Sequence, residues 1–112
     1  MIIIKRVYEP IDNSYIRILV DRLWPRGVSK TFLKLNLWAK EIAPSNELRK
    51  AYNHDVTKFN WFKEKYFQEL NNNTLAADFK MQYAKQNIVL LYAAKDTMHN
   101  NAIVLKEWLE GK

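Results

Sequence analysis

One stretch, Ile88 to Ala93 (IVLLYA), does most to limit the folds open to this chain. It is apolar at every position, so neither face of a strand there can meet water. Strands covered on both faces belong to sheets with helices packed on them, and such sheets are mostly parallel. Asn87 breaks the pattern before it, and a polar loop, Lys95 to Asn100, follows.

A second apolar run, Ile18 to Val20, leads straight into DRLWPRG, Asp21 to Gly27. Tyr15 to Asp21 reads as a strand, and Trp24 to Gly27 as a turn shaped by Pro25 and Gly27. Ile2 to Val7 reads as a first strand and Tyr8 to Ser14 as the loop after it. That loop is short for a helical crossover, so an antiparallel hairpin between the first two strands stays open.

The remaining segments read mainly as helices. Ser29 is placed to cap a short helical turn, and Leu37 to Ile42 fits either a strand or a helical turn. Pro44 and Ser45 precede a helix with Glu47 in its first turn, where negative charge is favoured. Position 48 is Leu, so the glutamate of a capping box is missing. Phe59, Phe62, Tyr66, Phe67 and Leu70 recur at helical spacing and mark a helix from Lys58 to Asn71. Trp61 and Lys65 extend that face at one edge. Leu75, Phe79 and Tyr83 mark a helix from Leu75 to Gln86, and Leu105 and Leu109 one from Ala102 to Leu109. This order predicts an α/β fold: a single small domain, its short, mostly parallel sheet packed with helices. A length of 112 residues suits one domain.

Composition removes several functions. The chain has no Cys, which excludes disulfides, thiolate catalysis and cysteine metal sites. The opening MIIIKR meets a charge after three Ile, unlike a signal peptide. No stretch approaches the roughly 18 apolar residues of a membrane span. A cytoplasmic protein without a membrane partner is expected. Lys and Arg number 18 against 12 Asp and Glu, a formal net charge of +6. Solubility accounts for such a charge, and so does attraction of phosphate-bearing ligands or nucleic acid.

Several segments together resemble one family. They are KRVYEP (Lys5 to Pro10), ILVDRLWPRGVSK (Ile18 to Lys30), LWAKEIAPSNELRK (Leu37 to Lys50), His54 with Asp55, and LLYAAKDTMHNNAIVLKEWL (Leu90 to Leu109). The combination is similar to the YeaO-like members of the domain of unknown function 488. The resemblance implies a small α/β fold of bacterial cytoplasmic proteins without an established biochemical activity. Some broader relatives carry cysteines toward their carboxyl end. This chain has none, so no cysteine-based role transfers. No glycine-rich cofactor loop or helix-turn-helix pattern stands out, and no cofactor is expected.

In open α/β sheets, ligands sit beyond the carboxyl ends of the strands. Asp21, Arg22 and Arg26 fall there. The guanidinium fork suits phosphate or carboxylate, and Asp21 is placed to hold one Arg. The competing reading is an internal salt bridge that fixes the turn. Lys95, Asp96, His99 and Asn100 follow the strong strand. If the two strands run parallel, both loops emerge at one edge. Histidine is the ordinary proton carrier of acid–base chemistry, and Asp96 is placed to orient His99, as an acid–base pair requires. Asp96 or Thr97 suits the cap of the last helix equally well. His54 supplies a second imidazole, but no metal-ligand spacing accompanies it, so no metal is expected.

The leading expectation is a module binding an anionic small molecule through Asp21, Arg22, Trp24, Arg26, Lys95 and Asn100. His99, Asp96 and His54 would carry protons if the protein is an enzyme. The first alternative is nucleic-acid binding, with Trp24 stacking on a base between Arg22 and Arg26. Trp38, Trp61 and Trp108 read as packing residues. The second alternative is a protein-interaction domain, which predicts an exposed aromatic patch on the helices and no pocket at the Asp21 loop.

Overall fold

The computed structural model describes residues 1–10 and 13–111. Ile11 and Asp12, within the expected Tyr8 to Ser14 loop, lie outside the described residues. Among the described residues, four strands form one sheet: β1 (Ile2–Arg6), β2 (Ile16–Leu19), β3 (Leu37–Trp38) and β4 (Ile88–Tyr92). Their order is β1-β4-β2-β3, and every pairing is parallel. Ile4 pairs with Leu90 on one edge of β4, and Ile18 with Leu90 on the other. All five residues of β4 are buried, so its sequence has no polar face. The hairpin alternative fails for the same reason. β4 takes the place between β1 and β2, because a strand apolar on both faces is best buried with a neighbour at each edge.

Side chains alternate between two cores. Ile18, Val20, Ile88 and Leu90 belong to one, and Val7, Leu19, Val89 and Leu91 to the other. The first is covered by α2 (Asn46–Tyr52), α3 (Phe59–Asn71), α4 (Thr74–Tyr83) and α5 (Asn101–Leu109). The second is covered by the short helix α1 (Lys30–Leu33) and the loop carrying Trp24 and Val28. Phe62, Tyr66 and Leu70 form the buried stripe of α3, with Phe59 and Phe67 partly buried beside it. Trp61 and Lys65 are exposed, so the apolar face is narrower than its spacing suggests. Leu37 to Ile42 divides into both forms expected of it, β3 and then a 3-10 turn over Lys40–Ile42. Among the described residues, no helix is long and apolar enough to cross a membrane.

The caps explain how the helices meet the sheet. Ser29 Oγ accepts from the Phe32 amide, and Ser45 Oγ from the Leu48 amide. The missing capping-box glutamate is supplied from another helix. Glu69 of α3 accepts from the Ser45 amide at 2.9 Å, which seats α2 on α3. The cap of α5 is Asn100, whose Oδ1 accepts from the Ile103 amide, and not Asp96 or Thr97. Asp96 is used earlier: its Oδ1 accepts from the Met98 and His99 amides and closes its own turn.

Two arginines tie the carboxyl ends of strands to their neighbours. Arg6 donates from Nε to the Ala94 carbonyl at 2.9 Å and from Nη2 to that of Ala93 at 3.2 Å. Arg22 donates from Nε to the Pro44 carbonyl and from Nη2 to that of Ala43, both at 3.0 Å. Each fork satisfies two successive backbone acceptors that no strand or helix ladder reaches.

Candidate functional site

The parallel arrangement brings the loops after β2 and β4 to one edge, as ligand sites in such sheets require. Between them lies a cleft of about 490 Å³, within the size range of small-molecule sites. Asp21, Arg22, Trp24 and Arg26 line it from the β2 side. His99 and Asn100 line it from the β4 side, and His54 from the end of α2. Asp96 stands behind His99, and Lys95 is exposed; neither lines the cleft.

Asp21 follows the buried pair Leu19 and Val20. Its Oδ2 accepts from the Ala93 amide at 2.9 Å and its Oδ1 from Asn101 Nδ2 at 3.0 Å. The same Asn101 nitrogen donates to the Val20 carbonyl at 2.9 Å. The carboxylate therefore staples the ends of β2 and β4 to the first turn of α5. It holds no arginine: among the described residues the ion pairs are Lys63 with Glu107 and His99 with Asp96. Both the expected Asp21–Arg contact and the internal salt bridge offered against it are replaced by hydrogen bonds with amides.

Burial pushes the Asp21 carboxyl above the ordinary value of 3.8, against the opposing pull of Asn101, the Ala93 amide and the charge of His54. The folded protein then holds this proton more tightly than the unfolded chain does. The resulting stabilisation is complete below the ordinary value and is lost as pH rises through the folded one. Urea melts of the wild type and Asp21→Ala across acid to neutral pH measure it. The wild type should lose stability relative to the variant as pH rises; a gain contradicts the shift.

The two arginines of the loop have separate fates. Arg22 is half-buried and committed to the Ala43 and Pro44 carbonyls. Arg26 is exposed, and among the described residues its guanidinium has neither a hydrogen bond nor an ion pair. Its backbone carbonyl is held by the Tyr8 hydroxyl at 3.2 Å. Trp24 is half-buried: its Nε1 donates to the Val28 carbonyl at 2.6 Å, and its ring meets Trp38 edge-to-face at 5.3 Å. It forms a wall of the cleft with its polar atom turned to the loop.

His99 Nδ1 lies 3.0 Å from Asp96 Oδ2, and its ring meets Phe59 edge-to-face at 5.1 Å. The carboxylate favours the proton on Nδ1, which leaves Nε2 without a partner among the described residues. The Met98 amide, with the His99 ring and amide, holds Asp96 below the usual carboxylate range. His54 is exposed at φ 57°, directly after Asn53 at φ 48°. Asn53 is the left-handed cap that ends α2, as Lys34 ends α1 at φ 48°, so among the described residues His54 is the non-glycine left-handed residue that no helix cap explains. Asn100 is buried, and both ends of its amide are used: Oδ1 caps α5, and Nδ2 donates to the Asp96 carbonyl at 3.0 Å. The two bonds tie it to α5 and to the loop before it, so its first role is structural. Among the described residues, no group of three or more His, Cys, Asp or Glu is gathered for a metal.

Among the lining residues that the sequence does not mark as site residues, two on α2 carry polar groups, Arg49 and Tyr52. Arg49 is exposed, and among the described residues its guanidinium makes one hydrogen bond, a long one to Asn46 Oδ1 at 3.4 Å. Tyr52 is 6% exposed, and its hydroxyl has no hydrogen-bond partner among the described residues. Burial pushes this phenol up, and the charges of Asp96 and Asp55 add to the shift. Their spacing of three places both on one helical face. Nothing in the sequence says that this face meets the β2 loop.

Comparison with known proteins agrees on one kinship. A family model described as the inactive DUF488-N3 subclade matches residues 1–112. The uncharacterized protein YeaO of Escherichia coli K12 is 50% identical over 107 residues, covering 94% of this chain and 93% of that one. The uncharacterized proteins Rv3073c of Mycobacterium tuberculosis H37Rv and Mb3100c of Mycobacterium bovis are each 34% identical over 110 residues, covering 97% of this chain and 93% of theirs. No solved structure matches.

Proposed function

The chain belongs to the inactive DUF488-N3 subclade, and from that footing we propose that it is a binding module for a small anionic ligand, phosphate- or carboxylate-bearing. The observation that carries this reading is a charge imbalance. Arg22, Arg26 and Arg49 line the cleft beside one carboxylate, Asp21, and no ion pair joins them among the described residues. A concave site with unpaired positive charge focuses its field on an anion. Asp21 and Arg22 are occupied by backbone groups and Asn101. Contact with the ligand therefore falls to Arg26 and Arg49, whose planar forks match phosphate and carboxylate oxygens.

The description of the subclade as inactive weighs toward a ligand held rather than converted. His99, oriented by Asp96, then offers Nε2 as a fixed acceptor for a hydroxyl of the ligand. His54 adds a second imidazole at the α2 end. The nucleic-acid reading is weakened by the packing of Trp24 against Trp38 and Val28.

A ligand stabilises the native state to which it binds. Inorganic phosphate should raise the melting temperature of the wild type at low salt. Arg26→Ala should weaken that binding about tenfold, the loss expected for a hydrogen bond to a charged group. The free variant should melt with the wild type. An unchanged phosphate response in Arg26→Ala contradicts the proposal.

A further inference from the structure

Among the described residues, one buried side-chain polar atom has no hydrogen-bond partner: the hydroxyl of Tyr52, a residue that lines the cleft. The ring has reason enough to be there: it stacks on Phe62 at 4.5 Å and tilts against Phe59 at 6.1 Å. Phenylalanine would make the same contacts. The oxygen adds only a desolvation cost to the free protein. Tyr66, fully buried, shows how this fold treats a tyrosine with a purely structural role. Its hydroxyl donates to the Ile42 carbonyl at 2.7 Å. Nearby polar groups of the cleft, Asp21, Asn100 and Asn101, are likewise committed to the protein.

We propose that the Tyr52 hydroxyl is a ligand contact, and that the ligand is a hydroxylated anion of the sugar-phosphate type, its charged end at Arg26 and Arg49 and a hydroxyl at Tyr52. The inference rests on the anion-binding reading and names the ligand class for that same site. A phenol both donates and accepts, and an alcohol is its natural complement. The charges of Asp55 and Asp96 act on Tyr52. That end of the cleft is thus unfavourable for an anionic group and suited to a neutral one. The arginines supply the opposite preference. A volume of about 490 Å³ exceeds what a phosphate ion alone would fill.

The test is calorimetric titration of the wild type and Tyr52→Phe with inorganic phosphate, ribose 5-phosphate and adenosine monophosphate. The wild type should bind ribose 5-phosphate more tightly than phosphate. Tyr52→Phe should weaken ribose 5-phosphate about tenfold, and leave phosphate within about twofold. The free variant should melt at or above the wild-type temperature, because an unpaired hydroxyl has been removed. Adenosine monophosphate binding more tightly than ribose 5-phosphate would assign the sugar phosphate to a nucleotide, and weaker binding to a free sugar; both support the inference. Equal effects of Tyr52→Phe on phosphate and ribose 5-phosphate, or none on either, overturn it and leave the anion site standing. Failure of the wild type to bind any of the three overturns both.

Discussion

Replacing Arg22 with Ala should lower the free energy of unfolding by about 2–4 kcal/mol, the cost of two lost charge-assisted hydrogen bonds and two stranded acceptors. The acceptors are the carbonyls of Ala43 and Pro44, both buried residues. Water reaches them poorly, so the loss is not made good by solvent. Arg22→Lys should recover less than half, because a single ammonium cannot reproduce the planar fork on both oxygens. Chemical denaturation measures both variants. Arg26→Ala belongs in the same series and should fall within about 0.5 kcal/mol of the wild type, as exposed substitutions do. If Arg22→Ala were equally silent, the distinction between a structural and a ligand-facing arginine would be lost.

A comparable loss, about 2–4 kcal/mol, is expected of Asn100→Ala, from a removed helix cap, the lost bond to the carbonyl of half-buried Asp96 and the lost packing of a buried side chain. Asn100 is 2% exposed, and its two amide atoms serve Ile103 and Asp96. Asn100→Ser should keep the cap and lose only the contact with Asp96, so its stability should lie between the two. Asn100→Asp should not rescue, because a carboxylate oxygen would face the Asp96 carbonyl. The ordering of these three variants in urea separates the cap from the carbonyl contact. Identical losses in all three would mean that neither bond matters and that packing alone is responsible.

Much of the fold was legible because its determinants are local or periodic. IVLLYA has no polar position, and the chain places it at the centre of a parallel sheet. Ile18 and Val20 part from Leu19 as strand alternation requires. Ser29 and Ser45 cap the helices they precede. The features that escaped are those in which one partner is backbone or is distant along the chain. Arg22 and Arg26 look alike in DRLWPRG, and their difference lies in two carbonyls 21 and 22 positions beyond Arg22. Glu69 completes the cap of α2 from 24 residues away. Asp96, Thr97 and Asn100 are all cap-forming types, and only the start of α5 selects among them. Lys95 shares a loop with His99 yet stays outside the cleft, since a loop can face two ways. Tyr52 carries no sequence signal beyond its helical spacing, because the absence of a partner for one oxygen is a property of the packed state alone.

The central claim is that an anion binds where the β2 and β4 loops meet α2. Its most direct test is a titration of the isotopically labelled protein with inorganic phosphate at low salt, followed by two-dimensional proton–nitrogen spectra that include the arginine Nε–H signals. The account predicts that the largest shifts fall on the Arg26 and Arg49 side chains and on amides beside the cleft, such as those of Ala94 and His54. Shifts centred on the exposed lysines of α1 or the α3–α5 surface, or no saturable shift anywhere, would contradict it.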